Sequence, residues 1–107
     1  MENQYMGNET EYGPINGNLQ IRTIDEDGII KVMIYGDPDG MESFGKMLIR
    51  MSQVDQNKYI GMPDGERDHT HIYPGHQLSK DSLEAIIGRL DAKGTGELPK
   101  GFKANKK

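Results

Sequence analysis

The chain contains no cysteine and no tryptophan. Without cysteine it can form no disulfide, no thiolate metal site and no cysteine nucleophile. Small secreted domains that are poor in apolar residues usually depend on disulfides, so their absence indicates a reducing compartment. The N-terminal residues Met1–Gln4 also lack the basic and apolar regions of a signal peptide. We therefore expect a cytoplasmic protein.

Apolar residues are scarce as well, at 34% of 107 residues. No apolar run approaches the roughly 20 residues that cross a bilayer, so we expect no membrane association. The scarcity is greatest at the two ends, where residues 1–17 and 93–107 show no repeating apolar face. Such segments cannot bury enough surface to offset their chain entropy. The sequence therefore predicts a single domain at 18–92 between flexible tails at 1–17 and 93–107, the second of them basic.

The charge is unevenly distributed along the chain. The chain has 17 acidic and 13 basic side chains. Residues 93–107 hold one of the acidic and five of the basic ones, so residues 1–92 have a net charge of −8. An acidic body argues against direct nucleic-acid binding, which requires Lys and Arg against phosphates. It suits a basic protein partner, although an acidic surface also serves solubility alone.

Two runs with a period of two residues flank an Asp-Gly turn at positions 27 and 28. Residues 19–24 alternate apolar and polar side chains, and residues 29–36 are rich in β-branched side chains, so the pattern predicts a β-hairpin. Asp37 and Pro38 then have the chemistry of a helix cap and a first helical residue. The apolar residues that follow recur at helical spacing on one face: Met41, Phe44, Met47, Leu48 and Met51.

Residues 68–73 alternate again, which favours a strand. Asp68, Thr70 and Ile72 share one face of that strand, and the other face carries His69, His71 and Tyr73. Residues 83–90 fit two structures. Their apolar spacing slightly favours a helix, whereas alternation around Gly88 allows a strand.

The histidines form the most suggestive cluster, because all three lie between residues 69 and 76. On a strand, His69 and His71 point the same way, and two imidazoles can begin a zinc or iron site. No third ligand follows at a suitable spacing, so His69 and His71 are weak metal candidates. Partner contact and a purely structural role are the alternatives.

No other pattern indicates catalysis. The chain has no glycine-rich phosphate loop and no nucleophile elbow. Turn and capping chemistry explains the acidic pair Asp37 and Asp39. The sequence therefore predicts no catalytic residues and no cofactor, and it leaves the oligomeric state open.

From Ile30 to Leu90 the order of features resembles the immunity protein 32 family of bacterial polymorphic toxin systems. The resemblance is carried by short motifs: Ile34-Tyr35-Gly36, Asp39-Gly40-Met41, Leu48, His69-Thr70-His71-Ile72, Leu78-Ser79 and Ser82-Leu83-Glu84-Ala85-Ile86-Ile87. It implies a small non-enzymatic α+β protein that protects the producing cell by binding a cognate toxin. It also implies that residues 83–90 form a strand.

The combined interpretation is a β-β-α-β-β domain with a small antiparallel sheet and one helix packed on one face. Its partner is expected to be a toxin protein, for which the acidic body suggests a basic nuclease. A metal-binding module or metal-dependent enzyme centred on His69 and His71 is the alternative. The residues predicted to contact the partner are Asp64, Glu66, Asp68, His69, His71 and Tyr73.

Overall fold

A computed structural model describes Tyr12 and residues 14–105. The elements follow the predicted order β-β-α-β-β, and the α+β class is confirmed. A short 3₁₀ helix, Gln56–Lys58, lies between the helix and the third strand. The strands and the helix are β1 (Leu19–Glu26), β2 (Ile29–Gly36), α1 (Pro38–Gln53), β3 (His69–Ile72) and β4 (Ala85–Gly88).

The predicted hairpin is formed by β1 and β2. Their antiparallel register runs from Leu19 opposite Gly36 to Glu26 opposite Ile29, which leaves a two-residue turn. Both turn residues have positive φ, 56° at Asp27 and 83° at Gly28. This is the backbone that a tight hairpin turn requires, and Asp and Gly adopt it at low cost.

Helix α1 begins as the sequence predicts, with Asp37 as its cap and Pro38 in its first turn. The Asp37 carboxylate accepts hydrogen bonds from the backbone of Asn18 at 3.0 Å and of Gly40 at 2.8 Å. These bonds stabilise the charged form and lower the pKa of Asp37 below its usual range. Gly40 is required here, because a Cβ at this position would lie 1.9 Å from the Asn18 carbonyl oxygen.

The core forms where the helix covers the start of β1. Phe44, Met47 and Met51 of the helix are buried there with Leu19 and Ile21. The predicted apolar helix face is only partly correct, since its remaining members, Met41 and Leu48, are exposed. The buried helix residues are those that meet the start of β1, and β2 buries none of its side chains.

Residues 85–88 form a strand, so the structure implied by the resemblance is confirmed and the helix favoured by apolar spacing is wrong. Strand β4 pairs with β3 in antiparallel register, with Ile87 opposite Thr70 and Ala85 opposite Ile72. A helix this short would leave most of its backbone amides and carbonyls without partners, because they lie at its ends. Pairing with β3 gives these groups hydrogen-bond partners. Tertiary pairing has overridden the local pattern.

The four strands form two separate two-stranded sheets, β1–β2 and β3–β4, where the sequence predicted one. The segment before β4 nevertheless runs along the outer edge of β1. Ser79 and Leu83 donate backbone hydrogen bonds to the carbonyls of Leu19 and Ile21, both at 2.8 Å. The Ser82 hydroxyl accepts from the Ile21 amide at 2.8 Å, where a strand would use a backbone carbonyl. A side chain thus replaces part of the ladder that would have joined the sheets.

Parts of both predicted tails pack on the domain. Tyr12 is fully buried in the core, and Arg50 donates a hydrogen bond to its carbonyl at 2.6 Å. At the other end, the Lys93 ammonium group donates to the carbonyl of Tyr59 at 2.6 Å, and the Gly94 amide donates to the Asn57 side chain at 2.8 Å. These contacts attach Tyr12, Lys93 and Gly94, which lie outside the predicted range 18–92, to the domain. A single anchoring side chain leaves no periodic pattern in a sequence. The other residues before position 14 lie outside the described part.

No helix in the described ranges is long and apolar enough to cross a membrane.

Candidate functional site

The outer face of β3 carries a row of rings. Thr70 and Ile72 point inward and are fully buried, so the predicted division of this strand into two faces is confirmed. The ring centroids of His69 and His71 are 5.4 Å apart, and those of His71 and Tyr73 are 6.1 Å apart and nearly parallel. The result is a continuous, partly exposed surface of imidazole and phenol groups.

Strand β4 shapes the surface beside these rings. Gly88 lies opposite His69, and a Cβ there would come within 2.9 Å of the His69 Cβ. Gly88 therefore leaves space at the base of the His69 side chain. The exposed Ile86 lies opposite His71, whose Nδ1 is 3.7 Å from a carboxylate oxygen of Glu84. The sequence did not predict that Glu84, Ile86 and Gly88 lie beside the histidines, because it could not fix the β3–β4 register.

Among the residues that the structure describes, the two histidines that were weak metal candidates do not belong to a group of three possible ligands. Across Tyr12 and residues 14–105, no three His, Asp or Glu side chains are grouped so that they could hold a metal ion. The Nδ1 atom of His69 lies 3.0 Å from the Arg67 carbonyl oxygen, a contact that orients the ring. This geometry gives the metal alternative no support.

Asp68 is placed differently from the other predicted contact residues, because its side chain is fully buried. It accepts a hydrogen bond from the Tyr12 hydroxyl. Burial raises the pKa of Asp68, since removal from water disfavours the carboxylate, although Tyr12 and the Arg89 charge act in the opposite direction. Burial also raises the pKa of Tyr12, and the adjacent Asp68 and Tyr59 raise it further. Asp68 has no exposed surface to offer a partner.

A polar network surrounds this buried pair. The Asp68 amide donates to the Gln56 side chain at 2.6 Å, and Gln56 donates to the Asp91 carbonyl at 2.9 Å. Arg89 forms a salt bridge of 2.7 Å with Asp91 and donates to the carbonyls at the end of α1. The same salt bridge lowers the pKa of Asp91. The network joins five segments: the one at Tyr12, the end of α1, the 3₁₀ helix, the start of β3 and the residues after β4. The groups with shifted pKa values therefore have a structural role.

Asp64 and Glu66 lie in the loop before β3 and are exposed. Lys93 passes beside this loop, and its amide donates to the Glu66 carbonyl at 2.8 Å. Its ammonium group turns inward to the carbonyls of Tyr59 and Met62. Within the described part of the chain, no salt bridge involves Asp64 or Glu66. Their charges remain available at the surface.

Sequence reasoning missed one further surface, the apolar hairpin strand β2. The side chains of Ile30, Val32 and Ile34 are 65%, 65% and 46% exposed. They share the face of the hairpin on which Leu19 and Ile21 are buried. The alternating pattern predicted one buried face correctly for β1 but could not show that the core ends before β2.

The fold and these surfaces define a small α+β domain that exposes acidic, aromatic and apolar groups. Its Tyr12–Asp68 pair, whose pKa values are raised, is buried inside. A family model described as immunity protein 32 matches residues 31–90, which is more than half of the chain. The chain belongs to the immunity protein 32 family. No match was found among curated proteins or among solved structures. Membership implies that the protein neutralises a toxin by binding it, and immunity proteins of this family are generally not enzymes.

Proposed function

We propose that this chain is a non-enzymatic immunity protein that binds a cognate bacterial toxin in the cytoplasm of the producing cell and blocks its activity. The observation that carries the proposal is the family match over residues 31–90, which covers most of β2 and all of α1, β3 and β4. The matched segment contains the whole β3–β4 sheet and most of β2, so it includes most of the surface described above.

The toxin contacts the surface formed by the loop before β3 and the outer face of that strand. The proposed contact residues are Asp64, Glu66, His69, His71 and Tyr73, and each has at least partly exposed surface. Asp68 belonged to the set expected from the sequence, but it is left out of the proposed contacts because its side chain is fully buried. The rings of β3 supply rigid contact area, and the carboxylates at its beginning supply charge.

The toxin presents a basic surface, as a nuclease does where it binds phosphates. The net charge of −8 on residues 1–92 supports this partner, because an acidic protein and a basic one attract each other before contact. The unpaired carboxylates of Asp64 and Glu66 would face that basic surface. An inhibitor that occupies a nuclease's phosphate-binding surface blocks the enzyme without any chemistry of its own.

The test is a binding measurement between this chain and the toxin domain encoded by the neighbouring reading frame. Glu66→Lys and Asp64→Lys should each slow association and weaken binding about tenfold at low salt, with a smaller loss at high salt. Glu42→Lys is the matched control, since it makes the same charge change on the exposed side of α1. It should bind like the unaltered chain.

Three results would contradict parts of this proposal. If the toxin domain does not bind at all, the immunity function is wrong. Equal affinities for Glu66→Lys and Glu42→Lys would remove the acidic surface from the interface. Stoichiometric zinc or iron in protein purified without a histidine tag, abolished by His69→Ala, would favour the metal-binding alternative.

A further inference from the structure

The outer edge of β2 has unpaired backbone groups. In a two-residue hairpin the residues beside the turn, here Glu26 and Ile29, form a hydrogen-bonded pair, and such pairs then recur at every second residue. The backbone groups of Ile30, Val32 and Ile34 therefore point away from β1. Throughout residues 14–105, no hydrogen bond reaches the backbone of these three residues from outside the hairpin.

The opposite edge of the same hairpin is occupied along its first half. By the same alternation, Leu19 and Ile21 direct their backbone groups away from β2. Their carbonyls accept hydrogen bonds from the amides of Ser79 and Leu83, and the Ile21 amide donates to the Ser82 hydroxyl. The β1–β2 sheet can therefore gain a strand along the full length of the hairpin only at β2, because the first half of the β1 edge is taken.

Strand β2 also lacks the features that usually protect an edge. It contains no proline, and its only charged side chain, Lys31, is bound by Glu26 at 2.7 Å. Its apolar side chains are exposed on both faces of the hairpin, with Ile30 and Val32 on one face and Ile29 and Tyr35 on the other. A strand added at this edge would gain backbone hydrogen bonds and apolar contacts on both sides.

The charges at the ends of β2 decide which kind of strand fits. Asp27 lies beyond one end of the strand, and Asp37 and Asp39 lie beyond the other. A second copy of the chain paired in antiparallel register about Val32 would place Asp27 of each copy opposite Asp37 of the other. Like charges in that position are unfavourable. A strand with an apolar centre and a Lys or Arg at each end would instead meet complementary charges.

We propose that the free edge of β2 binds an extended segment of the cognate toxin as an added β-strand, apolar in its centre and basic at its ends. The inference rests on the proposed toxin-binding function and adds a second contact surface to it. The apolar residues of β2 supply the contact area, and its outward amide and carbonyl groups set the register of the bound strand.

Amide hydrogen exchange tests this directly, with the toxin domain from the neighbouring reading frame as the probe. In the free chain, the amides of Val32 and Ile34 should exchange much faster than those of Lys31 and Met33, which bond to β1. In the complex, Val32 and Ile34 should slow by at least about a hundredfold, because each amide gains a strand partner. Toxin binding without this protection would overturn the proposal and leave the immunity function intact.

Two variants give an independent measurement of the same edge. Val32→Pro removes an outward N–H group without removing a bond to β1, and Val32→Lys places a charge in the apolar centre. Each should weaken toxin binding at least about tenfold, while Ile49→Lys, at a comparably exposed apolar position on α1, should not. Val32→Lys leaves the backbone unchanged, so it tests the edge even where Val32→Pro disturbs the hairpin.

The remaining outcomes separate this inference from the proposed function. Absence of any complex overturns both. Protection of Val32 and Ile34 in the free chain that disappears on dilution would identify a second copy as the occupant and overturn the proposed toxin strand. Equal toxin affinities for Val32→Lys and Ile49→Lys would place the toxin elsewhere on the molecule.

Discussion

The two sheets of this domain are built differently. Hairpin β1–β2 has eight-residue strands and a well-formed turn, yet its second strand buries no side chain. Sheet β3–β4 has four-residue strands, but Thr70 and Ile72 are fully buried and the Tyr12–Asp68 pair anchors its beginning. Strand length and regular alternation therefore do not indicate which strands of this domain contribute most to its stability.

The difference separates structural support from recognition. The surroundings of β3 join distant segments through buried polar groups, so substitutions there should reduce stability. The exposed residues of β2 contact little of their own chain, so substitutions there should leave the fold intact. An exposed apolar strand that does not stabilise its own domain is typical of an interaction surface.

Removal of the Tyr12 ring should have the largest effect. Tyr12→Ala deletes a fully buried aromatic side chain and leaves Asp68 without its donor, so the free energy of unfolding should fall by about 3–5 kcal/mol. Tyr35→Ala on the hairpin, where the side chain is 61% exposed, should change it by less than about 0.5 kcal/mol. Urea denaturation of the two variants gives the comparison, and similar losses would contradict it.

The hydroxyl that joins the two sheets should rank next. Ser82→Ala leaves the Ile21 amide without its partner, which should cost about 1–3 kcal/mol because that amide is buried. Ser52→Ala is the matched control, since its hydroxyl is exposed and bonds only within α1. Denaturant titration should show a loss for the first variant and almost none for the second. A neutral Ser82→Ala would mean that the sheets are held together without this contact.

The buried carboxyl should make stability depend on pH. Because the pKa of Asp68 is raised in the folded state, the folded chain binds more protons than the unfolded chain between the ordinary and the raised pKa. Stability from this group therefore falls as pH rises through that window, by up to about 1.4 kcal/mol per pH unit. Asp68→Asn removes this dependence. The unfolding free energies of both proteins should be measured between pH 4 and pH 7. The variant should become more stable relative to the unaltered chain as the pH rises, and a difference that does not change with pH would contradict the raised pKa of Asp68.

The smallest effect should come from matched changes on the two sheets. Ile72→Val removes one methylene from a fully buried side chain and should cost about 0.5–1.5 kcal/mol. Ile30→Val makes the same change on exposed β2 and should be nearly neutral. Thermal denaturation resolves this difference. If Ile30→Val is equally costly, β2 contributes to the core more than its exposure indicates.

Local chemistry predicted the elements that depend on neighbouring residues. The turn at Asp27 and Gly28, the cap at Asp37 and the two faces of β3 follow from residue type and spacing alone. Residues 83–90 show the limit of this reasoning, because their apolar spacing favours a helix and only pairing with β3 makes residues 85–88 a strand. Tyr12 shows the same limit, since nothing in its surroundings marks it as a core residue.

Of the candidate surface, the sequence predicted the row of β3 rings but not the burial of Asp68 or the exposure of β2. Alternation assigns side chains to faces, whereas burial depends on which segments of the chain cover each face. Composition, charge and local hydrogen-bonding chemistry depend on residue types and on near neighbours in the chain. The sequence by itself therefore determined an acidic domain with a β-hairpin, a capped helix and a histidine-bearing strand. Only the tertiary structure decided that Tyr12 enters the core, that Asp68 is internal and that one edge of β2 is left free, because each depends on contacts between residues far apart in the chain.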